Sequence, residues 1–92
     1  MTTSYQKAAT DVLDYAIDWT AWLAGDTIST STWTVPTGIT KASDSHTTTV
    51  CTAFLSGGTA GITYLITNAI VTAAGRTVQR SFYVYVASNE YV

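Results

Sequence analysis

Two runs near the C-terminal end alternate with a period of two residues. In 62–72, ITYLITNAIVT, the side chains of Tyr64, Ile66, Asn68 and Ile70 fall on one side and those of Leu65, Ala69 and Val71 on the other. In 77–86, TVQRSFYVYV, Val78, Phe82, Val84 and Val86 oppose Gln79, Ser81, Tyr83 and Tyr85. A two-residue period is the signature of extended chain with one face turned to a core. Between the runs lies Ala73-Ala74-Gly75-Arg76, a short loop whose glycine supplies positive φ, so the two form an antiparallel hairpin. Such a hairpin must bury its apolar face against another layer, and a chain of 92 residues has room for one domain in which to do it. The polar surface fits this reading. Charged residues make up only 11% of the chain, against about 25% in ordinary domains. Threonine and serine take their place, and β-branched threonine suits a pleated, half-exposed surface.

The remaining segments extend the pattern with less clarity. Residues 1–10, MTTSYQKAAT, show no periodicity and are expected to form an arm. In 11–19, DVLDYAIDW, alternation puts Leu13, Tyr15, Ile17 and Trp19 on one face and Asp14, Ala16 and Asp18 on the other. A helix also fits, because Asp11, Asp14 and Asp18 share one helical face opposite Val12, Ala16, Trp19 and Leu23. Tyrosine, isoleucine and tryptophan favour the strand, but periodicity alone leaves both open. Residues 20–25, TAWLAG, predict a helical turn ending at Gly25. Residues 26–35 predict a strand with a bend near Ser31, closed by Pro36. Around Ile39 a short strand or loop is expected, followed by the turn-rich KASDSH of 41–46. Residues 47–55 predict a strand with Val50 and Phe54 on one side and Cys51, Ala53 and Leu55 on the other. SGGTAG at 56–61 is a turn. About six to seven short strands at this spacing predict an all-β fold, an immunoglobulin-like antiparallel β-sandwich spanning residues 11–92. Tyr64, at the start of the penultimate strand, stands where such sandwiches carry a tyrosine corner. The paired cysteines of antibody domains are missing. Trp19 and Trp33 are expected in the core.

Composition excludes several functions. The formal net charge is −2, and the basic residues Lys7, Lys41, Arg76 and Arg80 are scattered, so the basic patch needed for nucleic acid is absent. No apolar run approaches the 18–20 residues or so of a membrane span, and nothing at the start reads as a secretory signal. The single cysteine, Cys51, allows no intrachain disulfide or cysteine metal cluster and reads as a small core filler.

No catalytic, cofactor-binding or metal-binding constellation emerges. Asp44-Ser45-His46 has the residue types of a hydrolase triad, but triad members converge from separate segments. On a strand, Asp14 and Asp18 would lie roughly 13 Å apart, beyond the roughly 5–9.5 Å of a glycosidase pair. The glycine-rich SGGTAG lacks the Lys-Ser/Thr of a phosphate loop. The expectation is a protein that is not an enzyme and needs no cofactor. Its candidate interface residues are aromatic: Tyr5 in the arm, Trp22 in the helical turn, and Tyr83 and Tyr85 on the last strand.

The run Leu13-Asp14-Tyr15-Ala16-Ile17-Asp18-Trp19, then Trp22-Leu23 and Gly25-Asp26-Thr27-Ile28, resembles the opening of the phage fiber-tail adaptors, small virion proteins of tailed bacteriophages. Further matching pieces are Trp33-Thr34-Val35-Pro36, Leu55-Ser56-Gly57-Gly58-Thr59-Ala60-Gly61, Tyr64, Thr67-Asn68 and Ala74-Gly75-Arg76-Thr77. The resemblance covers about residues 11–86. It implies an immunoglobulin-like structural module in the virion, joining a receptor-binding fiber to the tail, with no catalytic residues. Its expected partners are other phage structural proteins, the tail or connector ring and the fiber. Several copies in a symmetric ring are expected, assembled in the host bacterial cytoplasm, with neither nucleic acid nor membrane as a partner. The arm is expected to order on docking. Alternatives are a capsid decoration protein of the same fold and a carbohydrate-binding module using Trp22, Tyr83 and Tyr85 as a stacking platform.

Overall fold

The computed structural model describes residues 3–8 and 11–87. Seven strands and one short helix follow in the order β1 Thr3–Ala8, β2 Leu13–Asp18, α1 Thr20–Leu23, β3 Ile28–Thr34, β4 Ile39–His46, β5 Val50–Gly57, β6 Thr63–Thr72 and β7 Thr77–Ala87. They form a four-stranded sheet, β1-β7-β6-β3, and a three-stranded sheet, β2-β5-β4. In the lettering of immunoglobulin domains, β2-β5-β4 is the B-E-D sheet and β7-β6-β3 the G-F-C sheet. The fold is therefore an all-β sandwich with immunoglobulin-like strand order.

The core sits where the alternation put it. Tyr64, Ile66, Asn68 and Ile70 of β6 are buried beside Phe82, Val84 and Val86 of β7. Cys51, Ala53 and Leu55 of β5, with Tyr15 of β2, face them from the other sheet. Trp19 and Trp33 are both buried. The strand reading of 11–19 holds for Leu13–Asp18, which pairs antiparallel with β5 from Leu13↔Leu55 to Asp18↔Val50. Trp19 then leaves the ladder and opens α1, its carbonyl accepting a hydrogen bond from the Leu23 N–H (2.9 Å).

Tyr64 forms the corner its position suggested. Its ring is buried and its hydroxyl accepts a hydrogen bond from the Thr59 N–H, five residues upstream (2.9 Å). Tyr64→Phe keeps the ring and removes that one bond. The expected loss is about 1 kcal/mol in urea unfolding, with an unchanged m-value; no loss at all would mean the bond does not hold the β5–β6 loop.

Two expectations are corrected. Of the expected arm 1–10, Thr3–Ala8 does not stand apart but forms β1 and pairs in parallel with β7, from Thr3↔Phe82 to Ala8↔Ala87. Lys7 is buried, its ammonium donating to the carbonyls of Gly57 (2.6 Å) and Ala8 (2.7 Å). A lysine at an inward position hides the strand from any reading of apolar periodicity. The KASDSH segment is not a turn but most of β4, paired antiparallel with β5. A bulge between Lys41 and Ser43 shifts its register; Lys41 bonds the Asp44 carboxylate across it. The expected arm ends Met1, Thr2, Ala9 and Thr10, and the tail from Ser88 to Val92, lie outside the described residues.

Candidate functional site

The two ends of β7 serve different purposes. At its start, the β6–β7 hairpin carries Arg76, which reaches back to the segment after α1. Its Nε and one Nη donate to the Asp26 carboxylate (3.2 and 3.1 Å), and that same Nη also donates to the Leu23 carbonyl (2.9 Å). The guanidinium lies 4.3 Å from the centroid of the Trp22 ring. Trp22 meets Trp19 edge-on at 5.8 Å, and Arg80 covers the Trp19 ring at 4.5 Å. The Trp19 indole N–H donates to Asn68 Oδ1 (3.1 Å) in the core. The Asn68 amide in turn donates to Ser31 Oγ (3.0 Å) and the Thr32 carbonyl (3.2 Å). The Thr72 hydroxyl, the Thr27 N–H and Arg76 hold the Asp26 carboxyl below its ordinary pKa. Segments about fifty residues apart are thus stapled into one rigid end. Trp22, a candidate interface residue, is half-buried here with the Arg76 guanidinium over its ring.

Toward the other end of β7, among the described residues, the outer face of the four-stranded sheet exposes apolar side chains. Tyr83 and Tyr85 point outward, 41% and 39% exposed. Leu65 is the cross-strand partner of Tyr83 and is 45% exposed; Thr63 pairs with Tyr85. Directly opposed residues on one sheet face have Cβ atoms about 5 Å apart, so Leu65, Tyr83 and Tyr85 form one patch. Gln6 of β1 continues it beside Tyr85. Further along the face come Thr67 and Ser81, hydroxyl to hydroxyl at 2.8 Å, then Ala69 opposite Gln79. Among the described side chains, this outer face carries no charge.

The other sheet presents a different chemistry. Asp14 and Asp18 stand on the outer face of β2, and Asp14 lies directly across from Phe54, which is 40% exposed. The described basic residues are used elsewhere: Lys7 in the core, Lys41 on Asp44, Arg76 on Asp26 and Arg80 on Trp19. Burial pulls the Lys7 pKa down, partly offset by Asp11 and Tyr64.

Of the candidate residues, only Tyr83 and Tyr85 come together. Tyr5 lies on the inward side of β1, its ring 5.1 Å from Tyr15 and 5.3 Å from Phe82, and is 38% exposed at the sandwich edge. Trp22 contacts Arg76 in the loop before β7, and Tyr83 lies six residues into the strand from its first residue Thr77, a separation of roughly 20 Å at strand rise. A shared stacking platform of Trp22 with the two tyrosines is therefore not assembled. Leu65, which the sequence reading did not single out, shares the outward patch with Tyr83 and Tyr85. Its signal lay in the hairpin itself, because antiparallel pairing puts Leu65 and Tyr83 on the same outward face. Asp44, Ser45 and His46 lie along one strand, the His46 ring nitrogen Nδ1 set against the Thr47 carbonyl (2.9 Å). Cys51 is a free, fully buried thiol whose pKa burial raises. Among the described residues, no three His, Cys, Asp or Glu side chains converge as metal ligands.

The described residues thus form a small immunoglobulin-like sandwich whose two outer faces differ, one aromatic and uncharged, the other carrying Asp14 and Asp18. The family model of the Podophage GP4 fiber-tail adaptor protein gp77 matches residues 7–85. The chain belongs to that family of phage structural proteins. No curated protein matches the chain.

Proposed function

We propose that this protein is a non-enzymatic virion component that joins the tail of a podophage to its fiber. The family supports an adaptor role and contact with other tail or fiber proteins. The observation that carries the finer reading is the contrast between the two outer faces: Leu65, Tyr83 and Tyr85 on a face without charge among the described side chains, and Asp14, Asp18 and Phe54 on the other. Two faces of unlike chemistry select two unlike partners. A standard interface takes about 800 Å² from each partner, so each face of so small a domain serves one neighbour. Several copies then sit around a symmetric ring, each touching the tail side with one face and the fiber side with the other. Tyr83 and Tyr85 anchor one of these contacts, since exposed tyrosines bring large apolar area at low entropy cost.

The test is a Tyr83→Ser/Tyr85→Ser double variant supplied during phage assembly. Both rings are largely outward, so the expected stability change is small, within about 1 kcal/mol. Purified particles are expected to lose their fibers or the adaptor itself. Fully fibered, infectious particles carrying the variant would remove the uncharged face from the docking account.

A further inference from the structure

β1 is attached to the domain in a way no other strand is. It lies at the edge of its sheet, pairs only with β7, and is the parallel member of an otherwise antiparallel set. Its register with β7 runs unbroken from Thr3↔Phe82 to Ala8↔Ala87. The Tyr5 ring closes over Tyr15 and Phe82, and the Lys7 ammonium sits on the Gly57 carbonyl. The groove that receives β1 is therefore made by the β7 edge, Tyr15 and Gly57, all from the chain beyond the link that follows β1.

That link is short. Residues 9–12 join Ala8 in the four-stranded sheet to Leu13 in the three-stranded one, and packed sheets stand about 10 Å apart. Among the described residues, the link itself is closed by two hydrogen bonds, Ala8 N–H to the Asp11 carboxylate (3.0 Å) and Asp11 N–H to the Ala8 carbonyl (3.0 Å). Withdrawal of β1 would leave the β7 edge as a row of unpaired backbone groups beside Phe82, Val84 and Val86, a template for any matching strand. The strand that demonstrably matches is Thr3–Ala8, and every other copy of the chain carries one.

We propose that β1 is exchangeable between copies of this chain, Thr3–Ala8 of one copy lying beside β7 of the next in the same parallel register. The exchanged strand reproduces the ladder, the Tyr5 contacts and the Lys7–Gly57 bond, and, among the described residues, gives up the two bonds of the link. Exchange of an identical element is a low-cost route to association. Passed head to tail, the strand would join neighbours around a closed ring. The exchange itself stands on the β1 geometry and not on the adaptor reading.

The experiment traps the strand covalently. Gln6 and Tyr85 are register partners, and adjacent strands bring Cα atoms within the roughly 4.4–6.8 Å that a disulfide spans. The full chain carrying Gln6→Cys and Tyr85→Cys is unfolded, refolded at concentrations from micromolar to millimolar, oxidised and run on a non-reducing gel. The expected result is an intrachain-linked monomer at the lowest concentration. Disulfide-linked dimers and larger species should grow with refolding concentration. Either single variant yields at most collision dimers and controls for surface contact. Light scattering of the unsubstituted chain, refolded alike, is expected to show the same growth. Monomers at every concentration, or oligomers lacking an interchain disulfide between the two introduced cysteines, overturn the exchange and leave the adaptor reading untouched.

Discussion

Trp19→Ala is expected to cost about 3–5 kcal/mol of stability, a large share of what so small a domain holds. A domain of this size holds only about 5–15 kcal/mol in all. Trp19 has no exposed surface and is a junction of the stapled end. Its indole N–H bonds Asn68, its ring is packed by Trp22 and Arg80, and its backbone N–H donates to the Thr49 carbonyl (2.8 Å). Truncation opens a cavity and also leaves the buried Asn68 oxygen unpaired. Trp22→Ala is the internal control. Trp22 is only half-buried and makes no such core bond, so a clearly smaller loss is expected. Urea unfolding followed by far-UV circular dichroism measures both. A Trp19→Ala loss below about 1 kcal/mol would show that the Trp19–Asn68 junction does not organise the core.

Gly58→Ala is the next largest. Gly58 has φ +97°, and a Cβ there would stand 2.6 Å from Val86 Cγ2 and 3.4 Å from Tyr64 Cε2. Backbone strain costs about 1–2 kcal/mol for a residue with a side chain at positive φ. Overpacking against the core adds about 1–3 kcal/mol. The sum, about 2–5 kcal/mol, falls on the loop that the tyrosine corner closes. Gly61→Ala separates the two causes, because Gly61 also has positive φ (+88°) but nothing within 4 Å of its Cβ position. Thermal melts of both variants should rank Gly58→Ala well below Gly61→Ala. Equal melting temperatures would mean that the contact with Val86 relaxes without cost.

What the sequence revealed and what it hid follow from burial. β6 and β7 are central in their sheet and pack one face against the core, so their alternation is strict and their inward residues were legible one by one. β5 is central in the other sheet and was legible for the same reason. Edge strands obey weaker rules. β4 buries only Ile39 fully, so its lysine, aspartate and serines read as turn. β1 turns a tyrosine and a lysine inward, and the lysine is stabilised by carbonyls that only the folded chain brings near it. Trp22 reads as exposed in the sequence because it sits in a turn, whereas in the fold it is half-buried. Its partner Arg76 stands more than fifty residues further along the chain, beyond the reach of local pattern. The tyrosine patch was half legible, since alternation along β7 gave Tyr83 and Tyr85, whereas Leu65 needed the hairpin register.

That register also shows where contact with a neighbour is to be sought. Leu65 sits at the middle of the uncharged patch, paired with Tyr83, and its side chain is among the most exposed large apolar groups of the fold. A photo-cross-linking residue placed at Leu65, and separately at Phe54 on the opposite face, samples both proposed contacts inside assembled particles. After irradiation of intact virions, mass spectrometry identifies the captured peptides. The docking account expects tail-protein peptides from one position and fiber-protein peptides from the other. Capture of capsid-shell peptides from both positions, or absence of the chain from purified virions, would contradict it.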